Sequence, residues 1–191
     1  MDISTFIFFG VILALGAYAV VLYNNLVSLK HGVTKAWANI DVLLKQRHDE
    51  LPKLVETCKQ YMGYEQETLE KVMKARAAVS SARQAHDVPA VGAAETQLRL
   101  GLGNLFALAE AYPDLKANET FMHLQSRISG LENSIADRRE FYNESVNNNN
   151  VRIEQFPDVI IARFFNFKDA DLLEFSEEEL KDVNVKELFN S

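Results

Sequence analysis

Between Ile3 and Leu29 the chain carries no charged side chain. From Phe6 to Tyr23 every residue is apolar or small. A run of that length crosses a bilayer core of ~30 Å as one helix. Everything after Lys30 is then expected to be a domain tied to a membrane surface. A secretory signal peptide is the rival reading, but signal peptides begin with cations and have shorter apolar regions. Here only Met1 and Asp2 stand at the start, and the small-x-small triplet Ala17-Tyr18-Ala19 lies inside the run rather than after it.

Lys30, Lys35, Lys45 and Arg47 all follow the span and no cation precedes it. By the positive-inside rule this leaves residues 1–5 as a short extracytoplasmic N-terminus and puts the bulk of the chain in the cytoplasm. The single cysteine, Cys58, agrees with a reducing compartment. Gly10, Ala14 and Ala17 share one face of the 6–29 segment, where small residues permit close approach of a second helix; ordinary membrane-helix composition gives the same pattern.

Beyond the anchor, helical periodicity dominates. A stripe of Val33, Trp37, Ile40, Leu44, Arg47, Leu51, Leu54, Cys58 and Tyr61 steps by four and three residues, the seam of a coiled-coil-like helix from about Thr34 to Met62. Pro52 predicts a kink in it, and Gly32 is the expected flexible joint to the anchor. A second helix is expected from about Glu65 to Ala85. Asp87 reads as the N-cap of a third, running from about Ala90 to Tyr112, with Gly101 and Gly103 available for close packing. A fourth is expected from Asn118 to the low-complexity run Asn147–Asn150. The predicted fold is all-α: a transmembrane helix, then an up-down-up-down four-helix bundle over 30–150.

Two segments follow. Residues 151–168 are hydrophobic and rich in phenylalanine. Phe156, Pro157, Ile160, Ile161, Phe164, Phe165 and Phe167 are expected either to clasp the base of the bundle or a neighbouring subunit, or to lie at the bilayer surface. From Asp169 to Ser191 there are eight acids and two lysines, so most of the net charge of −7 resides in a tail expected to be solvated.

Taken in order, Tyr23-Asn24-Asn25-Leu26-Val27, Ala36-Trp37-Ala38, Ile40-Asp41-Val42, Leu44-Lys45-Gln46-Arg47, Leu51-Pro52-Lys53-Leu54, Tyr112-Pro113-Asp114-Leu115-Lys116-Ala117, Tyr142-Asn143 and Phe156-Pro157 make the chain resemble the LemA family of bacterial membrane proteins. His48 and Lys53 depart from the family pattern. The resemblance implies a single-pass protein of the bacterial inner membrane with a cytoplasmic helical bundle. It also implies an accessory role, associated in some relatives with membrane metalloproteases or membrane compartments, and it supplies no catalytic residue.

The residues themselves point to no chemistry. His31, His48, His86 and His123 have no metal-ligand spacing, Gly101-Leu102-Gly103 lacks the strand and lysine of a phosphate loop, and no basic excess suits nucleic acid. No cofactor or metal is expected. Arg47, Glu95 and Arg138 each interrupt an apolar stripe, at similar heights in an up-down bundle. They predict an internal ionic layer in which Glu95 bridges two guanidinium groups; the alternative is that the arginines snorkel out of the seam. The expected function is a non-enzymatic, self-associating membrane scaffold or adaptor. The alternative is a membrane-shaping protein that uses the Phe-rich segment at the bilayer, with a hidden enzyme as a third possibility.

Overall fold

A computed structural model describes residues 3–175, and every regular element among them is helical. The helices are α1 (Ile3–Lys59), α2 (Gln66–Gln84), α3 (Val88–Ala109), α4 (Pro113–Lys116), α5 (Glu119–Glu154) and α6 (Asp158–Phe164). Of the acidic tail, 176–191 lie outside the described residues, as do Met1 and Asp2.

The first difference from expectation is the length of α1. Gly32 does not interrupt it: one glycine costs a helix interior only about 1 kcal/mol, and no proline or cap stands beside it. Pro52 also lies inside α1, which continues to Lys59. The Asn147–Asn150 run does not end α5, which reaches Glu154. Between α3 and α5 the single turn α4 starts at Pro113, where Pro at the first helical position costs no hydrogen bond.

The chain divides into two compact units, whose described parts are 3–39 with 140–172, and 40–139 with 173–175. In the second unit one apolar cluster joins Leu51, Leu54 and Cys58 of α1 to Leu69 and Val72 of α2, Leu98, Leu102 and Leu105 of α3, Leu115 of α4, and Phe121, Leu124 and Ile128 of α5. The α2–α3 corner is tight. His86 takes φ 54°, while its N–H donates to the Arg83 carbonyl and that of Asp87 to the Ala82 carbonyl, a left-handed helix stop. Asp87 then accepts from the Ala90 N–H at 2.9 Å and caps α3. At Gly101 an added Cβ would lie 3.4 Å from the Val72 side chain, about ordinary van der Waals contact, so α2 and α3 pass closely there; nothing lies near Gly103. Asn118 caps α5 through the Phe121 N–H.

In the first unit the core is small: Leu22, Leu26 and Ala36 of α1, Tyr142 and Val146 of α5, and Ala162 of α6 are buried, with the Trp37 and Tyr142 rings 5.5 Å apart. Before Leu22, α1 has no buried side chain.

Candidate functional site

Three groups of residues carry the functional argument. The first is the buried charge of the second unit. Arg47 on α1 and Glu95 on α3 are each almost without solvent exposure, and an Arg47 guanidinium nitrogen donates to Glu95 Oε1. The third member is not Arg138, which is exposed, but Glu132, whose Oε1 lies 3.9 Å from the other Arg47 terminal nitrogen. The arrangement is thus one guanidinium facing two carboxylates, the reverse of a carboxylate between two guanidiniums. Glu132 precedes Arg138 by six residues, about 9 Å along α5, so the stripe misjudges the level at which α5 meets Arg47. Arg139 is the half-buried neighbour, and its guanidinium stands 3.9 Å from the centre of the Phe175 ring.

Two further titratable groups of the second unit are shifted by their surroundings. Burial pushes the Cys58 thiol up to about 11, opposite to the activation a nucleophile needs. His48 is held below its ordinary value, first by burial and then by the charges of Arg76 and Arg83. Among the described residues no three His, Cys, Asp or Glu side chains converge to hold a metal ion.

The second group is a strap of residues 167–175: its first two residues end the Phe-rich segment, and 169–175 open the tail expected to be solvated, where most side chains are exposed but several groups are held. In the first unit Asn150 exchanges two hydrogen bonds with the Ala170 backbone, and the Tyr142 hydroxyl donates to the Asp171 carbonyl at 2.9 Å. Burial, with Asp171 beside it, pushes Tyr142 up to about 12. In the second unit Leu173 is buried, Gly92 lies against the Glu174 carbonyl, and Phe175 sits beneath Arg99 and Arg139. Asn150, in the run that reads as low complexity, is the hydrogen-bonding partner of the Ala170 backbone. Gly92, inside a helical pattern, was the available signal for the close approach.

The third group is the Phe-rich segment. α6 follows the cis Phe156–Pro157 peptide. Asp158 is buried and accepts from Arg152 Nε at 2.8 Å. At its far end Asn166 takes φ 56°, and the Phe167 N–H donates back to the Ala162 carbonyl. This reversal brings Phe167 to Tyr23 of α1, with ring centroids 5.8 Å apart; Phe165 is closer, at 4.7 Å. Pro157 and Ile161 are half-buried, whereas Phe156, Ile160 and Phe164 point outward. A cleft of about 620 Å³ opens beside these rings, lined in part by Lys30, Thr34, Asn149 and Lys168. Gly10, Ala14 and Ala17 are all exposed on the free part of α1, the one described helix long and apolar enough to cross a membrane.

The LemA family model matches residues 36–186, most of the chain. This chain belongs to the LemA family. Protein LemA of Metamycoplasma hominis is 28% identical over 169 residues, covering 87% of this chain and 75% of that protein. Magnetosome protein MamQ 2 of Paramagnetospirillum magneticum is 34% identical over 70 residues, 37% of this chain and 26% of the relative. Magnetosome protein MamQ of Magnetospirillum gryphiswaldense is 33% identical over a stretch of the same length. This chain therefore matches only about a quarter of the magnetosome proteins' length.

Proposed function

We propose that this LemA-family chain is a non-enzymatic, single-pass scaffold or adaptor of the bacterial inner membrane, with its N-terminus outside and its bulk in the cytoplasm. One observation carries the reading: α1 passes without a break from a stretch with no buried side chain into the buried seam of the helical domain. A continuous helix transmits position and orientation, which suits a presenting scaffold better than a tethered catalyst. The exposed cations Lys30, Lys35 and Lys45 on one side of the span support the orientation. The long helical stretches are taken to form an up-down-up-down bundle, and the Gly10, Ala14 and Ala17 face to mediate self-association in the bilayer. A membrane protease is the partner class that the family resemblance supports.

The deciding measurement is the particle mass of the full chain in nanodiscs across a wide concentration range. A discrete homomer is expected. A monomer at every concentration, together with no cross-linked membrane partner in cells, would overturn the scaffold. A second reading, membrane organisation, draws on the magnetosome relatives. Reconstituted full-length protein that leaves liposome shape unchanged at high density would remove it.

A further inference from the structure

We propose that the outer face of α6 is a membrane foot, with Phe156, Ile160 and Phe164 inserted among the headgroups and upper acyl chains of the bilayer. This rests on the reading of α1 as the span. The level of the segment is the first support. From Ile3 to Tyr23 α1 advances about 20 residues at about 1.5 Å each, or about 30 Å, the thickness of the hydrocarbon core. With Ile3 at one edge, Tyr23 stands at the other. Its ring contacts Phe165 and Phe167, so α6 is held beside the point where α1 emerges.

The second support is the division of faces. Ile160 and Phe164 are one turn apart on α6, and Phe156 is one turn earlier in the approach to it. They are 58%, 81% and 81% exposed. The inward face is already committed: Asp158 to its pair with Arg152, Ala162 to the core and Phe167 to Tyr23, while Phe165 contacts Tyr23 and stays half exposed. The outward residues therefore cannot turn in without displacing these contacts. The Phe164 ring packs on Phe165, and Phe165 packs on Tyr23 at the end of the apolar run of α1, and the occupant that covers that run in the span reading is lipid.

The charge at this level fits the headgroup zone. Lys30, Arg163 and Lys168 are exposed and suit lipid phosphates, while Glu154 and Asp169 are also exposed and temper the attraction. Apolar insertion is thus the main contribution, and weak dependence on anionic lipid is expected.

The test uses the full chain in phosphatidylcholine nanodiscs, labelled with an environment-sensitive fluorophore at Phe164→Cys, with Ile160→Cys as a second site should the first disturb folding. The native Cys58 is buried and leaves the new thiol as the reactive one. Leu13→Cys reports the span and Ala77→Cys, on the exposed side of α2, reports water. A lipid nitroxide placed near the headgroups should quench the position 164 label several-fold more than the position 77 label. If 164 behaves as 77 does while 13 is quenched by a deep nitroxide, the foot is wrong and the span stands. If 13 is not quenched either, both fall. A blue-shifted label at 164 that no lipid nitroxide reaches would mean that protein covers the face, which also overturns the proposal.

Discussion

Asn150 and Ala170 exchange two hydrogen bonds: the Asn150 side-chain amide donates to the Ala170 carbonyl at 2.9 Å, and the Ala170 N–H donates to Asn150 Oδ1 at 2.9 Å. The side chain substitutes for a neighbouring strand and satisfies both backbone groups of an extended segment. Asn149, itself buried, donates to the same Oδ1 at 3.1 Å and orients it.

Replacing Asn150 by Ala should therefore loosen the strap without melting α5. The expected loss is about 1–2 kcal/mol of stability, since Ala170 is half-buried and water only partly replaces the amide. Hydrogen exchange at the Ala170 amide should accelerate by about tenfold or more. Asn150→Asp keeps the acceptor and loses the donor, so it should fall between. Unchanged exchange in the Ala variant would contradict the pairing.

Arg47→Met should cost about 3–5 kcal/mol in urea unfolding, because it leaves the Glu95 carboxylate buried without its cation. The double change Arg47→Met with Glu95→Leu should recover most of the loss. Glu132→Gln, at a longer distance and with partial exposure, should cost less than about 1 kcal/mol. Equal losses for Arg47→Met and Glu132→Gln would show that the second carboxylate matters as much as the first.

Gly92→Ala separates helix propensity from packing. In an isolated helix the change gains about 1 kcal/mol. Here the new Cβ would overlap the Glu174 carbonyl, and backbone cannot yield as a flexible side chain does. Lower thermal stability and faster proteolysis near Glu174 are expected; a rise in melting temperature would mean that the strap does not lie against α3.

Cys58 sets an alkaline limit. Its folded value, about 11, lies above the ordinary 9.0, so the folded state keeps its proton where the unfolded state loses it. The contribution is fully present below 9.0 and is lost as pH rises toward 11. Urea midpoints should fall across that window, and less so in Cys58→Ala. At neutral pH the native thiol should resist a disulfide reagent that modifies it promptly after unfolding. Prompt reaction of the native protein would rule out the buried setting.

The helical domain was legible wherever burial follows a long period. The stripe through Ile40, Leu44, Leu51, Leu54 and Cys58 is written in the order of side chains, and so are the charges Arg47 and Glu95 that interrupt apolar faces. The third member of the layer was not. The α5 stripe points to Arg138, yet Glu132 faces Arg47 and Arg139 faces Phe175. Periodicity marks a face but not the level at which two helices pair, and Glu132 stands about 9 Å along α5 from Arg138. Asn150 was hidden for another reason: its partner is backbone, which carries no residue identity to read.

What the sequence by itself determined is helical character, an uncharged run long enough for a bilayer, and membership in a family. These follow from local periodicity and from the cost of burying charge, both summed along the chain. Only the tertiary structure decided that α1 runs unbroken through Gly32, that α5 outlasts four asparagines, that the strap pairs with Asn150, and that Tyr23 meets Phe165. The pairing of the strap with Asn150 and the meeting of Tyr23 with Phe165 depend on contacts between residues far apart in the chain. The local preferences of Gly and Asn are too modest to end a long helix by themselves, and local preferences are all that a single sequence displays.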